Sequence, residues 1–201
     1  MLARVQSLLG LVPLAAYLVW HVYRTWPVLE SREAWVDRAL HGPGRAIIVA
    51  AVLAPMAAHG VLGMVRWRRR PADALTGAPA LRTLQAVTGA IVLGFTLYHL
   101  QQVWAVAEGP HASPRTAYTA LMRTLGRPVD LSIYLIGITA VCFHVAHGLS
   151  RAAVTFRMAR TPAAVRGFRI AAGALGFLLW AAFLQVLAQF ALGEPLIPFG
   201  G

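Results

Sequence analysis

Five stretches without a single charged side chain, 5–23, 46–65, 83–107, 131–150 and 170–193, take up most of this 201-residue sequence. A helix of roughly 20 apolar residues crosses the ~30 Å hydrocarbon layer of a bilayer, and each run reaches that length. Backbone polar groups find no water at that depth, so the runs must satisfy them as helices. The chain is expected to be an all-α membrane protein with five spans, about 5–24, 45–66, 83–107, 129–151 and 169–193. Four of them would form a bundle, within one transmembrane domain over 1–201 and with no soluble domain. The first run does not read as a cleaved leader: it lacks a small-residue cleavage site and carries Pro13 and His21 within a full-length span.

The formal charge of +11 does not point to nucleic acid, because its distribution follows the membrane. The N-terminus, the 66–82 connection and the 151–169 connection carry 11 arginines against one acid, Asp73. The remaining connections and the C-terminus carry 7 arginines against six acids. Basic excess marks the cytoplasmic side. The N-terminus is therefore expected in the cytoplasm and the C-terminus outside, in a multi-pass protein of the cytoplasmic (inner) membrane. The clusters Arg66, Arg68, Arg69, Arg70 and Arg157, Arg160, Arg166, Arg169 follow from topology alone.

Each of the first four spans holds a histidine, and the four fall at two depths. His21 and His99 lie 17 positions after the arginines that open their runs, Arg4 and Arg82; His59 and His144 lie 7 positions before those that close theirs, Arg66 and Arg151. With the spans alternating in direction, His21 and His99 lie about 26 Å from the cytoplasmic boundary, and His59 and His144 about 10 Å from it. Ionisable side chains are costly in hydrocarbon and by default mark function. A single such histidine is commonly a hydrogen-bonded core residue or part of a proton relay. Two depth-matched pairs instead suggest two b-type haems, one between His21 and His99 on the outer side and one between His59 and His144 on the inner side. Helix bundles build such sites from facing side chains, and two imidazoles saturate the iron for electron transfer.

Glycines accompany the histidines. Gly63 and Gly148 follow His59 and His144 by four positions, one turn away on the same face. Gly10 and Gly89 precede His21 and His99 by eleven and ten, near the inner level. All four suit packing of a flat macrocycle against backbone, although glycine also serves close helix packing in membranes.

Ser7-Leu8-Leu9-Gly10 with His21, Leu84 to Gly89 with His99, Pro55 to Gly63, and Phe143-His144-Val145-Ala146-His147-Gly148-Leu149 resemble the first, third, second and fourth spans of a known family. It is the dihaem cytochrome b membrane-anchor subunit of succinate:quinone oxidoreductases (succinate dehydrogenase or fumarate reductase), of the five-helix, menaquinone-linked type B. The resemblance implies that the first and third spans ligate the distal haem and the second and fourth the proximal one. It also implies a flavoprotein subunit and an iron–sulfur subunit on the cytoplasmic side, membrane quinone (menaquinone) as substrate, and a complex open to oligomerisation. This chain holds no flavin or cluster motif, so dicarboxylate chemistry would lie in the partners. Its one cysteine, Cys142, reads as a small core residue; it occupies a position where some relatives carry a glutamate. Ala86 stands where an arginine often follows the glutamine, leaving Arg82 to neutralise propionates. The Gly-Leu spacing selects His144 over His147 as ligand.

For the quinone, the outer end offers Glu33 and His41, and the inner end Ser7 and Gln85. Ser113-Pro114 reads as a cap opening a short amphipathic helix over 114–125, with Tyr118, Leu121, Met122 and Leu125 inward. Gln185 and Gln189 in the fifth span support no assignment. Two other functions fit part of the pattern: a dihaem cytochrome b of a hydrogenase or formate dehydrogenase, and a haem-free anchor or transporter.

Overall fold

The computed structural model describes residues 2–40, 45–67, 79–107 and 113–197. Among them there is helix and no strand. Five segments are long and apolar enough to cross a membrane: Leu2–Leu29, Ala46–Arg66, Ala80–Ala105, Pro128–Thr155 and Pro162–Leu192. They are carried by α1 (Leu2–Thr25), α3 and α4 (Arg45–Ile48 and Ala54–Trp67), α5 (Pro79–Ala107), α7 (Pro128–Thr155) and α8 (Pro162–Leu192), with α2 (Arg32–Leu40) and α6 (Pro114–Leu125) between them. The expected spans are thus present. Several run past the charge-free stretches, because a charge stops the apolar layer and not the helix. The clearest case is α8, which opens at Pro162, seven residues before Arg169. Thr161 caps it by accepting from the Ala164 N–H at 3.2 Å, and proline at the first helical position has no N–H to lose.

The second span departs from a plain α-helix. Residues Val49–Leu53 form a π-helical turn between α3 and α4. Pro55 follows at once; its ring conflicts with the carbonyl four residues back, at Ala51, and it donates no hydrogen bond. Widening the turn accommodates both defects.

Two compact units divide the chain, and each long span but the second contributes to both. The first comprises Met1–Leu18, Pro43–Ile91 and Ala140–Leu178. Its α7–α8 packing depends on small residues: a Cβ on Gly176 would stand 2.7 Å from that of Ala146 and 3.1 Å from the Cys142 carbonyl oxygen. Cys142 itself is a buried free thiol, as expected of a core residue. Ala153, Ala159 and Val165 are buried at the α7–α8 connection, where Arg157 takes a left-handed conformation, φ 61°.

The second unit comprises Val19–Gly42, Val92–Thr139 and Leu179–Gly201. Here Trp35 of α2, Tyr118 of α6 and Phe190 of α8 form an aromatic triad with centroids 5.3–5.7 Å apart. Ser113 caps α6 in a reciprocal box with Thr116. Tyr118 and Leu125 are buried, and Leu121 and Met122 half-buried, as the periodicity predicts. Gln185, buried on α8, clasps the backbone of Ile197 with its oxygen (3.1 Å) and its nitrogen (3.3 Å). Gln189 donates to the Gly193 carbonyl, where φ is +82° and the helix ends. Large apolar residues elsewhere on the spans, such as Val19, Val61, Leu97, Ile136 and Leu178, are well exposed; that surface needs a hydrocarbon solvent.

Candidate functional site

In the first unit, α4 presents His59 and α7 presents His144, with ring centroids 6.2 Å apart and planes at 82°. Each imidazole rests on a glycine of another helix. A Cβ on Gly10 of α1 would overlap the His59 ring, and one on Gly89 of α5 would come within 3.0 Å of the His144 ring. Beside each glycine stands a hydrogen-bond acceptor for the ring. The Nδ1–H of His59 donates to the Gln6 carbonyl at 2.7 Å. Thr88 gives its own hydrogen to the Leu84 carbonyl, so its oxygen can accept from the Nδ1–H of His144, at 3.3 Å. An acceptor on Nδ1 fixes the tautomer and leaves Nε2 free to bind a metal.

The remaining two glycines sit under amides. The Gln6 Nε2 lies 2.9 Å from where a Gly63 Cβ would be, and the Gln85 Nε2 lies 3.6 Å from the Gly148 one. Gln6 accepts from Arg66, whose second guanidinium nitrogen, Nη2, is buried without a hydrogen-bond partner among the described residues. Gln85 accepts from the Nδ1–H of His147 at 2.9 Å and donates to the His144 carbonyl at 3.2 Å. His147 is buried and stacked on Phe143; its ring is turned to Gln85, while that of His144 is turned to His59. Ser7, half-buried beside Gln6, completes the inner set.

In the second unit His21 of α1 and His99 of α5 stand 5.9 Å apart, planes at 78°. Phe183 of α8 packs on His21 and Phe95 on His99, with centroids 5.9 and 5.8 Å away. The Tyr134 hydroxyl of α7 is hydrogen-bonded to His99 Nδ1 at 3.1 Å. The Phe95 ring in turn occupies space that a Cβ on Gly137 would need. Tyr98, edge-to-face with Tyr134 at 6.1 Å between centroids, donates to Asp130 at the start of α7. Tyr134, Thr88 and Gln6 are partners that sequence reasoning missed; the only signal was a polar side chain within an apolar run. Of the outer quinone candidates, Glu33 is exposed on α2, and His41 lies outside the described residues.

The donor set fits haem b. Bonds of about 2 Å from one iron to two imidazoles on opposite faces separate their centroids by roughly 6 Å, close to the separation in both pairs. The orphaned Arg66 nitrogen near His59 matches the carboxylate of a propionate, since a buried guanidinium group is satisfied by an anion. Among the described residues no cluster of three or more His, Cys, Asp or Glu could hold a bare metal ion.

No family model and no solved structure matches the chain. Among curated proteins it is similar to the succinate dehydrogenase cytochrome b558 subunit of Bacillus subtilis (strain 168), 27% identical over 171 residues, which is 81% of this chain and 83% of that protein. Five apolar spans, two facing histidine pairs and this likeness over 81% of the chain agree with the resemblance read from the sequence: the chain is similar to a succinate dehydrogenase cytochrome b subunit.

Proposed function

We propose that the chain is the membrane-anchor cytochrome b subunit of a succinate dehydrogenase or fumarate reductase complex. It would carry electrons between cytoplasmic flavoprotein and iron–sulfur subunits and membrane quinone, of menaquinone type. The observation that carries this reading is the matched architecture of the two pairs: imidazoles 5.9 and 6.2 Å apart, with partners on the Nδ1 of His59, His144 and His99. Haem b bound at each pair supplies a reversible one-electron carrier closed to oxygen. His59 and His144 hold the inner group and His21 and His99 the outer. Gly10 and Gly89 let the inner imidazoles approach the backbone, Gly63 and Gly148 admit the amides of Gln6 and Gln85, and Arg66 balances a propionate.

Quinone is placed at the outer end, where Glu33 and His41 supply protons. Asp130 and Tyr98 add a hydrogen-bonded pair within the unit that holds His99. The inner alternative is weakened because Gln85 is engaged by His147 and by the His144 carbonyl. The dicarboxylate chemistry belongs to the partner subunits, and this chain alone would not oxidise succinate.

The test is a reduced-minus-oxidised spectrum of the purified complex for four single substitutions. His59→Ala and His144→Ala should delete one spectral component, and His21→Ala and His99→Ala the other, with the flavoprotein and iron–sulfur subunits co-purifying. Loss of the same component from His21→Ala and His144→Ala defeats the pairing; a wild-type complex without haem defeats the function.

A further inference from the structure

An open surface hollow of about 300 Å³ in the second unit is lined by Arg32 of α2 and by Arg115, Thr116, Thr119, Ala120 and Arg123 of α6. Three exposed arginines line it, and no carboxylate is among its lining residues. This is the flank on which arginine is scarce, with 7 of the 18 in the chain. Others of these seven are engaged: Arg24 over the Trp20 ring at 5.0 Å, Arg38 over Tyr23 at 4.3 Å, and Arg127 with Asp130 at 3.8 Å. Collecting three like charges around one hollow costs energy that a bound anion would offset.

The Arg32 group is held in place. The Arg32 guanidinium lies over the Tyr118 ring, 5.4 Å from its centroid, and Tyr118 is anchored in the triad with Trp35 and Phe190. Stacking of one guanidinium face leaves its edge donors free for a forked contact with oxygens. Arg115, Thr119 and Arg123 recur every four residues, one stripe of a helix whose N-terminus the Ser113 box fixes. The Thr119 hydroxyl has given its hydrogen to the Arg115 carbonyl at 3.1 Å, which leaves an acceptor facing the hollow and suits a ligand with hydroxyls of its own.

Position selects the source of the anion. Arg32 follows the end of the first span, Leu29, by three residues, and Arg123 precedes the fourth span, at Pro128, by five. Residues at the ends of such spans fall in the headgroup layer, where lipid phosphates lie. We propose that this hollow is a phosphate-anion site occupied by the headgroup of an anionic phospholipid of the phosphatidylglycerol type. The arginines would take the phosphate bidentately, and Thr119 would accept from a glycerol hydroxyl.

The proposal is tested on the purified complex by native mass spectrometry and thermal unfolding. The probes are phosphatidylglycerol, phosphatidylcholine and inorganic phosphate. The wild type should retain and be stabilised by phosphatidylglycerol over phosphatidylcholine. Arg115→Gln with Arg123→Gln should weaken that preference by about tenfold or more, while Arg127→Gln, away from the hollow, should leave it intact. The single variants Arg32→Gln and Arg115→Gln should each give a partial loss, and they decide the matter if the double variant does not fold. An undiminished preference in the variants overturns the site. Stabilisation by inorganic phosphate with no preference between the lipids overturns the lipid as its source.

Discussion

Among the tight constraints at the residue scale are two set by an absent atom. Gly10 and Gly89 lie where α1 and α5 meet the His59 and His144 rings, so a methyl group at Gly10 would displace an imidazole and one at Gly89 would crowd its neighbour at 3.0 Å. Gly10→Ala and Gly89→Ala should therefore each cost about 1–3 kcal/mol by overpacking and deplete the haem component that depends on His59 and His144. Gly94, on α5, has nothing within 4 Å of its missing Cβ. Gly94→Ala should be neutral or stabilising by up to about 1 kcal/mol, since alanine loses less backbone freedom in a helix. Thermal unfolding and haem content of the three variants measure this; equal behaviour would mean that the glycines serve flexibility and not fit.

At the scale of elements, the helices obey their local chemistry, and that decides which features were legible in the sequence. The spans follow from charge-free length, and α6 from Ser113-Pro114 and the spacing of Tyr118, Leu121, Met122 and Leu125. Ser113 accepts from the Thr116 N–H at 3.1 Å, and the Thr116 hydroxyl accepts from the Ser113 N–H at 2.9 Å. Ser113→Ala should cost about 1 kcal/mol, seen as faster amide exchange in the first turn of α6 and unchanged exchange in α7. The π-turn at Val49–Leu53 was not legible, although Pro55 marks it: a proline in a span can kink, break or widen the helix, and only the neighbours decide which. The partners of the histidines were hidden for a related reason. Spacing along one helix shows that Gly63 shares a face with His59. It cannot show that the amide of Gln6 covers that glycine while Gly10 receives the ring, because those contacts pass between helices far apart in sequence.

Across the whole molecule, the asymmetry of arginine, 11 in one set of connections and 7 in the other, predicts the orientation. A reporter fused after Gly201 should read as external and one inserted beside Asp73 as cytoplasmic. An internal reading at Gly201 would reverse the topology and with it which histidine pair lies nearer the cytoplasm. The histidines stood out in the sequence because an ionisable side chain in hydrocarbon is rare enough that every instance counts.

Each compact unit is assembled from three separate stretches of chain, and this has a consequence for biogenesis. A ribosome delivers the spans in order. His21 and His99 are both present once the third span has been made, whereas His59 waits for His144 in the fourth. The pair in the second unit thus has both imidazoles one span earlier than the pair in the first. Tyr134, which holds His99, arrives with the same helix as His144. A chain paused between the third and fourth spans would carry one imidazole pair without Tyr134 and one histidine without its mate, so emergence of α7 supplies both missing partners at a single step of synthesis.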